Sequence, residues 1–151
     1  MLELARSDDR KAVNILAQQI HAMHVAWRPD LYVEAQELYP EDRFQEALQQ
    51  RQLYVARIGG VVVGYVLLKI RNVDLPGAPR RKIMEIKELC VEEQCRGQGI
   101  GTEMMTDIHA LARAFRCTDL RLGVYPQNDD AVGFYHKCGF TIRSINMQKK
   151  V

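Results

Sequence analysis

The sequence predicts a mixed α/β fold of the α+β kind, in which about four helices flank a mostly antiparallel sheet of about seven strands. Three observations support this prediction. Apolar residues recur at helical spacing in four segments, and the middle of the chain has apolar runs between short turns. In addition, a glycine-rich turn joins a strand directly to a helix. The 151 residues predict one domain spanning 1–151, and 47% hydrophobic with 26% charged residues are typical of a globular protein.

The first third of the chain predicts one strand and two helices. Residues 2–6 alternate as a short strand does, and the polar residues 7–9 supply N-cap candidates for the first helix. Neither the helical nor the strand spacing of apolar residues continues through residues 27–39, which we expect to form a loop or a broken helix. Pro40 and the two acidic residues behind it suit the first turn of a second helix. The apolar face of the first helix consists of Val13, Leu16, Ile20 and Met23, and that of the second of Phe44, Ala47 and Leu48.

The middle of the chain predicts antiparallel strands. Residues 53–58 and 61–70 are apolar runs separated by Gly59 and Gly60, and paired glycines tolerate the positive φ that a tight hairpin turn requires. A loop containing proline and glycine follows, and residues 83–91 form the next strand. These runs therefore predict a hairpin with a further strand beside it.

The last third predicts two helices and three strands. One helix follows the glycine-rich turn, and residues 120–125 form a strand. Asn128 or Asp129 caps the fourth helix, and Gly139 ends it. The apolar face of the third helix consists of Ile100, Met104, Ile108, Leu111 and Phe115, and the terminal strands are expected at Phe140–Ile142 and Ile145–Met147. The predicted order of elements is β-α-α-β-β-β-α-β-α-β-β.

Composition and charge argue against several classes of partner. The net charge is +2, and the densest basic run, Arg80–Lys82, predicts a solvated loop rather than a nucleic-acid or membrane surface. No secretory signal is visible, and no apolar stretch approaches the roughly 20 residues of a membrane span. The four cysteines lack Cys-x-x-Cys spacing, so we expect reduced thiols in a cytoplasmic protein without a metal site.

The stretch Arg96–Gly101 predicts an anion-binding site. The first amides of a helix lack internal partners and lie at the positive end of the helix dipole. The three glycines of the stretch let the backbone approach phosphate oxygens, and Arg96 adds a fork of donors. No Gly-Lys-Ser/Thr is present, which argues against a Walker loop, and the preceding antiparallel strands argue against a dinucleotide fingerprint.

Two motifs resemble signatures of the GNAT acetyltransferase superfamily. The first, which resembles the acetyl-coenzyme A motif of that family, is Arg96-x-x-Gly99-x-Gly101 after the strand Glu88-Leu89-Cys90-Val91. The second is Asn128-x-x-Ala131-x-x-Phe134-Tyr135-x-x-x-Gly139-Phe140. They occur in the order found in the family, with the predicted strand 120–125 between them. The order of elements also resembles the family over essentially the whole chain.

The resemblance implies an N-acetyltransferase that moves acetyl from acetyl-coenzyme A to a primary amine by direct attack in a ternary complex. It assigns the pyrophosphate to the amides of residues 98–102, the pantetheine arm to a gap between splayed strands, and the acceptor amine to a place under residues 27–39. The implied coenzyme-binding residues are Leu89, Cys90, Val91, Arg96, Gly97, Gln98, Gly99, Ile100, Gly101, Thr102 and Asn128. The resemblance and the two short terminal strands also suggest a homodimer.

Acetyl transfer to an amine needs one group that takes a proton from the amine and another that protonates the departing thiolate. An alkylamine has a pKa of about 10.4, so only about one molecule in 2,500 is free base at pH 7. We expect Glu88 to act as the base, directly or through a water, with Glu85 and Glu92 as weaker alternatives. Tyr135 resembles the general acid of the family. The competing interpretations are that Glu88 is a surface residue at a strand edge and that Tyr135 is a core aromatic.

The sequence leaves other functions and roles open. A non-catalytic sensor of acyl-coenzyme A would need the glycine-rich turn but neither proton-transfer group, and the small net charge disfavours a modifier of nucleic acid or aminoacyl-tRNA. His21 and His24 share a helix face and either line the acceptor groove or pack elsewhere. Cys138 is expected in the core. Three aromatic residues near the irregular segment predict either a substrate lid or a loop held to the core: Trp27, Tyr32 and Tyr39.

Overall fold

A computed structural model describes all residues of the chain, 1–151. It has the predicted mixed α/β architecture, with four helices and one sheet whose five strands follow the order β1-β2-β3-β4-β5. The strands are β1 (Leu2–Leu4), β2 (Leu53–Ile58), β3 (Val61–Val73), β4 (Arg81–Val91) and β5 (Asp119–Leu122). The helices are α1 (Arg10–Trp27), α2 (Glu41–Gln49), α3 (Ile100–Ala114) and α4 (Asp129–Lys137), with short 3₁₀ turns at Ser7–Asp9 and Glu93–Cys95.

The sheet is antiparallel except at its last pair. The first four strands pair antiparallel with their chain neighbours, and β5 pairs parallel with β4. Gly59 and Gly60 form the turn between β2 and β3 with φ of 55° and 82°. Both values lie in the left-handed region that a two-residue turn of type I′ requires, so the glycine pair makes the predicted hairpin. The parallel pair needs a long crossover connection, which α3 supplies.

The sheet separates two apolar cores. On one face, α3 packs through the fully buried side chains of Met104 and Ile108. On the other face lie α1 and α2, where the ring of Phe44 is fully buried. Strand β3 serves both cores, because successive side chains of a strand point to opposite faces: Val66 belongs to the first core and Tyr65 to the second.

The two terminal strands predicted at Phe140–Ile142 and Ile145–Met147 are absent, so the sheet has five strands instead of about seven. From Thr141 onward, no backbone group hydrogen-bonds to another backbone group. An apolar alternation makes a strand only where a second strand accepts its hydrogen bonds, and this segment has no such neighbour. The remaining differences concern element ends, such as β5, which stops at Leu122 instead of Tyr125.

Gly64 of β3 lies where α3 crosses the sheet closely. A Cβ on this residue would lie 2.8 Å from the Cys90 carbonyl oxygen and 2.9 Å from Met104 Sδ. The carbonyl belongs to the neighbouring strand and cannot move aside as a flexible side chain would. We therefore expect Gly64→Ala to lower the free energy of unfolding by about 1–3 kcal/mol, measured by urea denaturation.

Gly133→Ala is the matched control for this substitution. Gly133 lies inside α4, and a Cβ there would meet no atom within 4 Å. Because alanine has the higher helix propensity, this variant should gain up to about 1 kcal/mol of unfolding free energy. A Gly64→Ala protein as stable as the parent would contradict the close approach of α3 to the sheet.

Candidate active site

A cleft of about 570 Å³ lies where β4 and β5 separate. The two strands pair only from Ile83, opposite Asp119, to Ile86, opposite Leu122. Beyond this point β4 continues to Val91 and pairs with β3 alone. Its other edge therefore presents unpaired N–H and C=O groups to the cleft.

A β-bulge at Lys87 decides which side chains of β4 face which core. Two successive residues of β3 lie opposite Glu88 and Ile86, which are two positions apart in β4. Lys87, between them, is therefore the extra residue of the bulge. Ile86 and Leu89 both pack on the α3 side of the sheet, although three positions separate them. In a regular strand, Glu88 would share the face of Ile86. The bulge instead turns Glu88 toward the side of α1 and α2.

The glycine-rich turn has the geometry of an anion site at the start of α3. Gly97 and Gly99 have φ of 77° and 85°, left-handed values that favour glycine. No atom lies within 4 Å of the place that a Cβ would take at either residue, so the backbone is open to a ligand. The first helical bond joins Glu103 N to the Gly99 carbonyl (3.0 Å), which leaves the amides of residues 100–102 without helical partners.

Two other residues of this turn hold the local structure together. A Cβ on Gly101 would lie 3.3 Å from Phe134 Cζ, so this glycine lets α3 begin directly against α4. Arg96 Nε donates to the Val91 carbonyl (3.0 Å), which ties the turn to the end of β4. The two terminal nitrogens of the Arg96 guanidinium remain available for a ligand.

Every coenzyme-binding residue that the resemblance implies lines the cleft, except Gln98, whose exposed side chain lies outside it. Asn128 has a second role, because its Oδ1 accepts from Ala131 N (3.2 Å) and so caps α4. Glu88 and Tyr135 line the same cleft. The structure thus brings the residues of both sequence motifs to one place.

Tyr135 faces the cleft from α4. Its ring packs against Phe134 and Phe140, with centroids 5.4 Å and 5.8 Å away. Burial raises the pKa of Tyr135 to about 12, with smaller contributions from Cys138 and Cys90. The phenol therefore stays protonated at neutral pH and is able to donate a proton into the cleft.

Glu88 lies on the free edge of β4, where its carboxylate belongs to a polar network and does not stand free in solvent. Its Oε2 accepts from the hydroxyls of Tyr39 (2.7 Å) and Tyr65 (2.8 Å). Its Oε1 accepts from Arg43 Nη2 (2.8 Å), and the guanidinium of Arg43 lies 4.0 Å from the centre of the Tyr39 ring. Burial raises the pKa of both tyrosines, so both remain donors to the carboxylate. The Glu88 side chain is still 28% exposed and can be reached from the cleft.

The two alternative carboxylates have partners elsewhere. Glu85 forms an ion pair with Arg71 (2.9 Å), and Glu92 accepts from Gln19 Nε2 (3.0 Å). Neither residue lines the cleft. Of the three glutamates that the sequence singles out, Glu88 alone is placed to act there.

An aromatic cluster flanks the cleft on the side of α1. The hydroxyls of Tyr32 and Tyr125 share a hydrogen bond (2.7 Å), and this bond, together with burial, raises the pKa of Tyr32 to about 12. The ring of His24 lies 4.9 Å from that of Tyr32 and 5.4 Å from that of Tyr125. Burial lowers the pKa of His24, assisted by the neighbouring His21, so the imidazole is neutral at pH 7.

The two histidines of α1 have different surroundings. His24 lines the cleft, whereas His21 lies outside it and its Nε2 donates to the Val33 carbonyl (2.6 Å). The segment between α1 and α2, residues 28–40, is held at both ends. Tyr39 is fully buried and bound to Glu88, and Tyr32 bonds across to Tyr125. Of the two interpretations of this segment, a substrate lid or a loop held to the core, these contacts support the loop held to the core.

Sequence reasoning missed Arg43, Tyr65 and Tyr125. These residues lie on α2, on β3 and after β5, and no local motif connects them. Only Tyr65 had a usable signal, because the predicted hairpin and the strand beside it place it near Glu88 in the sheet register. Arg43 and Tyr125 reach the site through tertiary packing alone.

The cysteines are free thiols, and the partly buried Cys138 packs against the α3 core as expected. The Cys90 thiol points toward α1 and donates to the Leu16 carbonyl (3.4 Å), and burial raises its pKa to about 11. No group of three or more His, Cys, Asp or Glu side chains is placed to hold a metal ion. None of the helices has the length and apolar character needed to cross a bilayer.

Comparison with known proteins identifies relatives that resemble this chain in sequence. An uncharacterized N-acetyltransferase of Methanocaldococcus jannaschii is 31% identical over 97 residues, which cover 61% of this chain and 40% of that protein. The L-amino acid N-acetyltransferase of Escherichia coli is 29% identical over 131 residues, which cover 83% of this chain and 75% of that protein. The chain thus spans less than half of the archaeal relative and three quarters of the bacterial one.

The fold matches that of a solved structure, and the sequence motifs lie within a stretch that matches a family profile. A solved tetramutant of a Bacillus halodurans protein superposes with a TM-score of 0.94 at 28% identity, covering 100% of this chain and 99% of that one. The sequence profile described as the acetyltransferase (GNAT) family matches residues 20–140, which include the glycine-rich turn, the free edge of β4 and Tyr135. The chain belongs to the acetyltransferase (GNAT) family.

Proposed function

We propose that this protein transfers an acetyl group from acetyl-coenzyme A to a primary amine, which attacks the thioester directly in a ternary complex. The main support is the cleft, where the glycine-rich turn, the free edge of β4, Tyr135 and Glu88 meet. A phosphate site alone would fit many ligands. A phosphate site joined to an open strand edge and two proton-transfer groups fits an acyl-coenzyme A together with its acceptor.

The residues of the cleft fit both ends of acetyl-coenzyme A. The amides of residues 98–102 and the terminal nitrogens of Arg96 would hold the pyrophosphate at the start of α3. The pantetheine arm contains amide groups, and the unpaired backbone of residues 87–91 would bind them as it would bind a further strand. When bound, the coenzyme would supply an activated acetyl thioester to the cleft that Tyr135 lines.

Tyr135 would protonate the departing thiolate. Its phenol lines the cleft and stays protonated because burial raises its pKa to about 12. A positioned acid of this kind contributes about 10²–10⁴-fold to the rate. A backbone amide near Cys90, on the free edge of β4, would polarise the thioester carbonyl.

Glu88 would take the proton of the amine, directly or through a water. Three hydrogen bonds fix the orientation of its carboxylate, and its negative charge attracts the ammonium form of an amine to the cleft. His24 is a second candidate, because its imidazole lines the same cleft and is neutral at pH 7.

Direct attack requires no covalent acyl-enzyme. The thiol of Cys90 is protonated at neutral pH and points toward α1, which supports direct attack over transfer through this cysteine. The four free cysteines also suit a reducing cytoplasm, where we place the protein. The acceptor would enter beside residues 28–40, and L-amino acids are the first class to test because the Escherichia coli relative is named for them.

Acetyl-coenzyme A should release free thiol in the presence of one class of amine. The panel consists of L-amino acids, polyamines, aminoglycosides and peptides with free N-termini. Gly99→Asp should abolish both thiol release and coenzyme binding by calorimetry, because it places a carboxylate beside the pyrophosphate. Gly77→Asp is the matched control, since Gly77 also has a positive φ (79°) and open space around it, in the loop between β3 and β4. Gly77→Asp should retain both thiol release and coenzyme binding.

The outcomes separate the proposal from a sensor of acyl-coenzyme A. Coenzyme binding without thiol release from any amine would favour the sensor, which needs the turn but not Tyr135 or Glu88. Normal binding by Gly99→Asp would contradict the assignment of the glycine-rich turn.

Tyr135→Phe should lower kcat by about 10²-fold or more while leaving coenzyme affinity nearly unchanged, because only the proton donor is removed. Since the phenol titrates near pH 12, the parent protein should lose no activity from this group below pH 10, where the phenol is still protonated. Tyr54→Phe serves as control, because Tyr54 is buried in the α3 core away from the cleft. A Tyr135→Phe protein with full turnover would remove Tyr135 from its role.

Glu88→Gln and His24→Gln should distinguish the two candidate bases. We expect Glu88→Gln to lower kcat/KM by about 10²-fold or more and His24→Gln by less than about tenfold, compared from pH 6 to 9. Glu85→Gln, on the same strand, and His21→Gln, on the same helix, are the matched controls outside the cleft. The reverse ranking would assign the amine proton to His24.

A further inference from the structure

The bulge of β4 places a cation and an anion side by side on one face of the sheet. Met84 and Ile86 pack in the α3 core, so alternation puts the side chain of Lys87 on the opposite face, that of α1 and α2. The Nζ of Lys87 lies 3.8 Å from Oε2 of Glu85, which alternation places on the same face. Because the bulge also turns Glu88 to this face, two successive side chains of opposite charge point the same way.

The ammonium of Lys87 is poorly neutralised by the protein. Its one ion pair, the contact with Glu85, is long, and Oε1 of that glutamate is held at 2.9 Å by Arg71. Lys87 forms no ion pair with the neighbouring Glu88, whose carboxylate is bound by the three donors described above. The side chain of Lys87 is 49% exposed and has room to reach a ligand. The two adjacent charges therefore remain separate.

Lys87 is the positive charge of the cleft that the coenzyme leaves free. Lys87 and Glu88 both line the cleft, and the only other cationic side chain that lines it is Arg96. Arg96 lies at the glycine-rich turn, where the pyrophosphate is proposed to bind. The imidazole of His24 is neutral at pH 7, because burial lowers its pKa. The acceptor side of the cleft thus offers one cation and one anion, next to each other.

We propose that the acceptor is an α-amino acid, whose carboxylate pairs with Lys87 while its amino group lies beside Glu88, an inference that rests on the proposed function and adds its substrate class. The two charged groups of an α-amino acid are separated by a single carbon atom, so adjacent side chains of opposite charge match them. A polyamine or an aminoglycoside would bring a further positive charge to Lys87. A peptide has an uncharged amide in place of the nearby carboxylate.

The contact with Lys87 acts on binding rather than on the chemical step. A hydrogen bond to a charged group contributes about 10- to 100-fold to affinity. Because the side chain is half exposed, solvent and salt screen this contact, so we expect a contribution of about tenfold. The carboxylate is distant from the reacting bond and keeps its charge throughout the reaction. Loss of the contact therefore raises KM and leaves kcat nearly unchanged.

Lys87→Met tests the carboxylate contact. Leucine, serine and tyrosine are each compared with the carboxamide of the same amino acid, which lacks the negative charge. The preference for the amino acid over its carboxamide, measured as the ratio of the two kcat/KM values, should fall by about tenfold in the variant, through KM. Comparing this ratio between variant and parent cancels the different basicity of the two amines. Lys87→Arg keeps the charge and should retain the preference.

Lys69→Met is the matched control. Lys69 is an exposed residue of β3 that lies opposite Glu85 in the sheet register, and so on the same face, but it does not line the cleft. This variant should keep the parent's ratio. A ratio that is unchanged in Lys87→Met overturns the inference.

Calorimetry separates a failure of this inference from a failure of the proposed function. The parent protein loaded with coenzyme A should bind the three amino acids, and Lys87→Met should weaken that binding by about tenfold without any turnover. Amino acids that do not bind, or that bind equally to Lys87→Met, overturn the inference. Thiol release with polyamines, aminoglycosides or peptides alone also overturns it but leaves the proposed function standing. Thiol release from no amine contradicts the proposed function, and calorimetry then decides the carboxylate contact on its own.

Discussion

The separation of β4 from β5 is the constraint on which the site depends. Their parallel ladder stops at Ile86 and Leu122, and the next residues of β4 keep their bonds to β3 only. The bulge at Lys87 occurs at the same point, where it bends the strand and reverses the faces of all later residues. One local irregularity therefore opens a strand edge to the cleft and turns Glu88 toward α1 and α2. An unpaired strand edge inside a protein needs water or a ligand, because an unsatisfied backbone group costs about 1–3 kcal/mol.

A chain of close contacts holds the rest of the site against this strand. Gly64 lets α3 lie directly on the sheet, which fixes the axis of the helix whose first amides form the candidate anion site. Gly101, in the first turn of that helix, lets the ring of Phe134 pack against it and so positions α4. Tyr135 follows Phe134 in α4. The acid of the proposed reaction is thus positioned by two glycines whose role is to allow close packing, and close packing tolerates little change in volume.

The features that the sequence predicts are those with local signals. The glycine pair of the hairpin, the Asn128 cap and the glycine-rich turn each depend on residues within one short stretch. The bulge at Lys87 has only a weak signal, because the adjacent polar residues Lys87 and Glu88 interrupt the apolar pattern there but do not by themselves identify a bulge. The network on Glu88 depends on Arg43 and on tyrosines from two other elements, which only the tertiary structure brings together. The predicted terminal strands failed for a related reason: alternation shows which faces a strand would have but not whether a partner is present.

The surroundings of the two proposed proton-transfer groups differ in a way that separates their tasks. Tyr135 lies among aromatic rings, and burial disfavours its anion, so its phenol stays protonated at neutral pH. Glu88 lies on β4, where two phenols and a guanidinium donate hydrogen bonds to its carboxylate. Tyr135 is thus surrounded by aromatic rings and the Glu88 carboxylate by hydrogen-bond donors, and such different environments suit the separate tasks of the proposed acid and base. Tyr39, near the end of the segment 28–40, donates a hydrogen bond to Glu88. This bond holds the segment proposed to flank the acceptor and the Glu88 carboxylate in place together.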